Sequence, residues 1–139
     1  MNPAEFKSRT QSFGLRIIRL VAALGRDPAA HAIGRQILRS GTSVGANYRA
    51  ACRARSRADF VAKMAIVEEE VDETLYWLEI LGKSGLVKAG RLADLTKEAN
   101  ELIAIVSASR KTARRHLSRA PAAPVNRQSK IDNRQCNEP

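Results

Sequence analysis

The sequence is poor in the residues that build sheets, disulfide frameworks and membrane spans. Aromatic residues make up 4% of its 139 positions and Gly and Pro number only 8 and 5. Ala, Leu, Arg and Glu recur throughout, a composition that favours helix over strand. The two cysteines, Cys52 and Cys136, are too few and too far apart for a disulfide framework or a CxxC metal knuckle. Both read as free thiols. No apolar run approaches the roughly 18 residues of a membrane span, and the first residues, with Glu5 among polar neighbours, lack a secretory apolar region. A cytoplasmic protein without membrane association is the expectation.

The residue sets that carry catalysis are also missing. His31 and His116 stand alone, Cys52 has no histidine or carboxylate at a useful spacing, and Ser43 lies in a helical pattern rather than on a nucleophile elbow. Glu68, Glu69, Glu70, Asp72 and Glu73 invite a di-metal reading, but bundle sites of that kind need Glu-x-x-His pairs, which the chain lacks. Gly82-Lys83-Ser84 resembles the end of a phosphate-binding loop, yet Trp77 occupies the place of the earlier glycine and a helix precedes it. A non-enzymatic protein without metal or cofactor is the expectation.

Acidic residues are outnumbered, 14 against 24 Lys and Arg, for a net charge of +10. A chain so charged attracts polyanions. The excess has a pattern. From about Pro28 to Arg55 one helical face collects Ala30, Ile33, Ile37, Gly41, Val44, Tyr48 and Ala51, while Arg35, Arg39, Arg49, Arg53 and, were the helix to continue, Arg57 line the opposite face. No carboxylate interrupts that stripe between Asp27 and Asp59. Solvated helix faces usually mix charges of both signs, so the stripe is a candidate polyanion-binding surface. Arg110, Lys111, Arg114 and Arg115 form a second basic cluster at the end of the last helix, where the helix dipole accounts for part of it.

The remaining periodicity completes a fold. Phe6, Phe13, Ile17, Leu20, Val21 and Leu24 share one side of a first helix ending near Gly25, and Asp27-Pro28 caps the second. Ser56 and Asp59 have the form of a capping box for a third, which Gly82–Gly85 end. Leu92, Leu95, Ala99, Leu102, Ile103 and Val106 mark a fourth, from about Lys88 to Leu117. Short connections make neighbours antiparallel, so the fold class is all-α, an antiparallel up-and-down four-helix bundle over 1–117. Residues 118–139, with Pro121 and Pro124 and no periodicity, read as a disordered tail.

Two features point beyond the monomer. Within the low-bulk stretch Ser40–Arg49, Gly41, Val44, Gly45 and Tyr48 are candidates for close helix packing, since a side chain missing every fourth residue opens a groove. Thr42, Ser43 and Asn47 offer polar groups to set register there. On the third helix Ile66, Trp77 and Ile80 point away from the stripe of Phe60, Met64, Val67, Val71, Leu75 and Leu78. Together with Glu69 and Glu73 they are a candidate oligomer interface.

Arg39-Ser40-Gly41-Thr42-Ser43-Val44-Gly45-Ala46-Asn47, then Ser56 to Phe60, then Ile66–Glu70 and Glu73–Leu78 resemble the bacterial four-helix bundle proteins encoded within intervening sequences of 23S ribosomal RNA genes. The resemblance covers roughly Phe6 to His116. It implies a left-handed up-and-down bundle assembling into a barrel-like homopentamer with a basic surface. The same family includes the accessory variability protein of diversity-generating retroelements, which binds nucleic acid and a reverse transcriptase. Many relatives carry a glutamate soon after Gly-Ala-Asn, where this chain has Arg49-Ala50-Ala51. The resemblance brings no catalytic residues. The combined expectation is a homo-oligomeric nucleic-acid-binding accessory protein, RNA or DNA with weak sequence preference, with a reverse transcriptase as partner if it is encoded in a retroelement. The alternative is an oligomeric scaffold whose basic face binds an acidic protein.

Overall fold

The first three helices each begin where a polar side chain satisfies backbone N–H groups that have no partner within the helix. In the computed structural model, which describes residues 1–119, these starts open α1 (Pro3–Ala22), α2 (Pro28–Cys52) and α3 (Arg57–Ser84), and α4 (Ala89–Arg119) follows. Asn2 accepts from the Glu5 N–H at 2.8 Å while the Glu5 carboxylate accepts from the Asn2 N–H at 3.3 Å. This is a full capping box. Asp27 accepts from the N–H groups of Ala29 and Ala30, with Pro28 at the first helical position. Ser56 accepts from Asp59 at 3.0 Å, but the Asp59 carboxylate reaches past Ser56 to the Arg55 N–H at 3.2 Å.

The ends differ from the sequence expectation in three places. Helix α1 stops at Ala22 rather than near Gly25, and Gly25 does not take the left-handed conformation. Gly85 does, at φ 77°, and ends α3 as a glycine C-cap. Helix α2 closes at Cys52, so Arg57 belongs to α3 and does not extend the α2 stripe. Helix α4 runs two residues beyond 117. The expectation for the tail otherwise lies outside the described residues.

The four helices form an antiparallel bundle. Gly34 of α2 lies against Leu24 and Val21, whereas Gly45 lies against Thr10, so α2 runs back along α1. Gly82 faces Leu92, and Phe60 lies beside Ala113 at the other end, giving the same sense to α3 and α4. The core is a column of fully enclosed side chains: Phe13 and Ile17 from α1, Ile37 and Val44 from α2, Met64, Val67 and Val71 from α3, and Leu102 and Val106 from α4. Burying each contributes about 1.5–3 kcal/mol, which the chain entropy of ordering the helices largely offsets.

The low-bulk stretch sits at the waist of this column. A Cβ on Gly41 would lie 2.7 Å from Ile17 Cγ1 and 2.9 Å from its Cγ2, so Ile17 occupies the place of a side chain. One turn on, a Cβ on Gly45 would meet the Thr10 backbone at 3.4 Å. Val44 is fully buried, and Tyr48 stacks edge-on against Phe6 with ring centroids 4.6 Å apart. Thr42, Ser43 and Asn47 bond only to carbonyls of their own helix. The buried polar contact between α2 and α3 comes instead from Ser40 and Thr74, both fully buried, whose hydroxyl oxygens lie 2.8 Å apart. Such a pair makes off-register packing costly, because a slip would leave the buried Ser40 hydroxyl with only its 3.4 Å contact to the Ile37 carbonyl.

Candidate nucleic-acid interface

The arginines divide into two populations according to whether a carboxylate lies within reach. Arg9 of α1 bonds Glu98 at 2.6 Å and Glu101 at 2.5 Å, closing the sparsest edge of the bundle, between α1 and α4. Those bonds raise the Arg9 pKa further. Arg39 of α2 reaches Glu73 and, at 3.4 Å, Glu70 of α3. Its guanidinium holds the Glu73 carboxyl below the usual carboxylate range, and Glu73 in turn raises Arg39. Arg110 bonds Glu68 at 2.7 Å and is largely covered. These three join helices. Arg39 and Arg110, named as candidate binding residues from the sequence, are thus also the two that brace α3 against its neighbours.

The second population gathers at one end. In an antiparallel bundle the end of α2, the start of α3 and the end of α4 meet at the same pole, and this pole carries Arg49, Arg53, Arg57, Lys111, Arg114 and Arg115, all exposed. Among the described residues none of the six has a carboxylate within 4.0 Å. Asp59, the carboxylate of the first turn of α3, is engaged by Lys63 at 2.6 Å, which lowers its pKa. No acidic residue follows Glu101 in α4. Arg35, also without a carboxylate partner among the described residues, lies near the opposite end of α2 and apart from the pole.

The carboxylates of α3 are mostly committed. Glu68, Glu70 and Glu73 each face an arginine of another helix, while Glu69 and Asp72 remain exposed. Among the described residues no three His, Cys, Asp or Glu side chains converge to hold a metal ion. Cys52 sits half-buried beside Tyr48, whose hydroxyl pKa is pushed up by burial first and by the Cys52 contact second. No helix of the described residues is long and apolar enough to cross a membrane.

The candidate interface residues of α3 separate in the same way. Ile66 is exposed, as is Glu69, whereas Trp77 packs against the core and Ile80 is half-buried. The Trp77 ring meets Tyr76 edge-on at 4.9 Å, with Nε1 at 3.5 Å from Glu73. Tyr76 is the more exposed aromatic of the pair. A further apolar strip was not singled out from the sequence: Leu15 and Ile18 of α1 and Leu38 of α2 are 50%, 46% and 37% exposed. Their position off the core face of each helical wheel was the available signal. Leu15 and Ile18 border a groove with Gly14, Thr42 and Gly45 as its low wall, and Arg49 and Arg53 at its end.

Residues 4–108 match the family model described as 23S rRNA-intervening sequence protein. The chain belongs to that family. A crystal structure of a protein of unknown function from the S23 ribosomal protein family of Bacteroides thetaiotaomicron is 34% identical to it. The alignment covers 80% of this chain and 99% of that one, with a TM-score of 0.74. A search of curated proteins finds no match. The matched span contains the whole waist and the arginines of α2, and stops just before Arg110, so the basic end of α4 lies beyond it.

Proposed function

We propose that this member of the 23S rRNA-intervening sequence family is a non-enzymatic, homo-oligomeric nucleic-acid-binding protein of the cytoplasm. The observation that carries the reading is the pole: six exposed cationic side chains from three helices, none with a carboxylate within 4.0 Å among the described residues. Arginines that meet no protein anion keep their donors available for phosphate oxygens. Contacts of this kind position a polynucleotide without reading its sequence, so RNA and DNA of any sequence are expected to bind.

Self-association rests on two unlike faces. The α1/α2 strip of Leu15, Ile18 and Leu38 is bordered, on the side away from the pole, by Arg35, and the outer face of α3 presents Ile66 and Tyr76 beside Glu69 and Asp72. One face supplies apolar groups with positive charge, the other apolar groups with negative charge. Pairing unlike faces is head-to-tail, the type of contact that builds a ring when the rotation between subunits closes, in keeping with the homopentamer that the family resemblance implies. A ring repeats the pole and multiplies weak phosphate contacts.

The competing reading makes the same arginines a dock for an acidic protein. Fluorescence anisotropy with mixed-sequence RNA and DNA, combined with light scattering, separates the two. Binding whose affinity falls steeply and linearly on a log–log plot against salt supports the proposal. A multimer that binds neither nucleic acid at 50 mM salt favours the acidic partner instead, and a monomer under all conditions removes the oligomeric half.

A further inference from the structure

The cationic pole is not flat. Between the first turn of α3 and the last turns of α4 lies an open recess of about 720 Å³, lined by Arg57, Phe60, Ala108, Ser109, Thr112, Ala113 and His116. Its volume is in the range that ordinary small-molecule pockets occupy. Among the described residues no carboxylate lines it. Of the chain's three phenylalanines, Phe6 and Phe13 are enclosed at 3% and 0% exposure, whereas Phe60 is only half-buried and forms part of the recess wall.

A surface serving duplex backbone alone has no use for such a recess. Duplex DNA and RNA present phosphates outward and keep base faces stacked inside. A single strand presents both, an anionic backbone and an apolar planar base within one nucleotide. The recess matches that pair of chemistries: an aromatic ring with Ala108 and Ala113 for the base, and Arg57 and His116 for the phosphate. The Ser109 hydroxyl fits polar base edges in either sense, and Thr112 adds an acceptor. The Thr112 hydroxyl already donates to the Ala108 carbonyl at 3.0 Å, leaving its oxygen to accept.

We propose that this recess seats an unpaired nucleobase, so that the protein takes single-stranded polynucleotide in preference to duplex. The proposal rests on the nucleic-acid reading of the pole and adds to it the form of nucleic acid taken. Contact with a ring tolerates all bases, because every base has an apolar face. Preference for strandedness without preference for sequence follows.

The test uses the full chain and three labelled oligomers of equal length: oligo-dT, an abasic sugar–phosphate strand, and a mixed-sequence duplex, each at 50 mM salt. Wild type is expected to bind oligo-dT about tenfold more tightly than the abasic strand, within the range that one base–aromatic contact supplies. Phe60→Leu, which removes the ring and keeps most of its bulk, is expected to erase that difference while leaving abasic and duplex binding in place. Ala108→Leu fills the recess from an exposed helical position, so it serves where Phe60→Leu does not fold by circular dichroism, and the same loss is expected. Equal affinity for oligo-dT and the abasic strand in wild type overturns the inference and leaves the proposed function standing. So does a tenfold preference that survives in folded Ala108→Leu. Binding of none of the three oligomers overturns both.

Discussion

Arg39 and Arg53 leave the axis of α2 in nearly the same direction, several turns apart, and the bundle uses them differently. At the waist, Arg39 faces Glu70 and Glu73 of α3, beside the buried Ser40–Thr74 pair and the Ile17 side chain that fills the space above Gly41. At the pole, Arg53 closes the helix among cations and meets no carboxylate among the described residues. The same residue type in the same stripe is a brace in one region and an available cation in the other. What separates them is the neighbouring helix: α3 presents carboxylates at the level of the waist and a serine, an arginine and a paired aspartate at the level of the pole.

That contrast is broken most severely by bulk at the waist. Gly41→Leu places a side chain where Ile17 already stands, and urea unfolding is expected to show a loss of about 3 kcal/mol, with polyanion binding per folded molecule unchanged. Gly90, near the start of α4, has nothing within 4 Å of an added Cβ, so Gly90→Ala is expected to be neutral or to stabilise by up to about 0.5 kcal/mol. A waist that accepts leucine without loss would mean that α1 and α2 do not approach as closely as described.

The converse experiment changes the pole. Combined Arg53→Glu, Arg57→Glu and Arg114→Glu is expected to weaken RNA or DNA binding by about 100-fold at 50 mM salt and to reduce the salt slope. The midpoint of thermal unfolding should move little, because none of the three is paired with an acid. If instead unfolding shifts strongly, these arginines carry packing, and the distinction between the two regions fails.

A smaller effect sharpens the description of the waist. Thr74→Val alone leaves the buried Ser40 hydroxyl with only a 3.4 Å contact to the Ile37 carbonyl, an expected loss of about 1–2 kcal/mol by denaturant titration. Adding Ser40→Ala is expected to recover part of that loss, and strict additivity of the two substitutions would show that the hydroxyls do not interact.

The smallest effect is the pH response of the brace. Because Arg39 lowers the Glu73 pKa in the folded chain, the pair's contribution is present above the ordinary carboxylate range and is lost as pH falls through the lowered folded value. Arg39→Gln should therefore lower the melting temperature slightly at pH 7 and make no difference near pH 2. Both side chains are partly exposed, at 52% and 35%, so salt is expected to shrink the effect.

Most of the architecture was legible because it is local. Asp27-Pro28, Ser56 with Asp59, and Gly85 are start and stop signals that act within a few residues of themselves, and the apolar spacing of each helix follows from its 3.6-residue turn. The family followed from the run Arg39–Asn47 read with the α3 segments. Gly25 misled because a glycine near a helix end is a permissive signal. Chain geometry closed α1 on Ala23 before the glycine was needed.

Partner choice was not legible, and the reason is physical. A helical wheel orders side chains around one axis and contains nothing about the level at which another axis brings its charges. Arg39 and Arg110 are indistinguishable in type from Arg49 and Arg114 until antiparallel packing sets Glu73 and Glu68 beside the first pair. The same holds for Trp77, which α3 alone places on an outer face and the bundle folds against its core, and for Leu15 and Ile18, which are left uncovered. The chain by itself determined that there are four helices and that α2 is basic. The tertiary structure decided which of its arginines are already occupied, because occupation depends on distances between residues far apart in the chain.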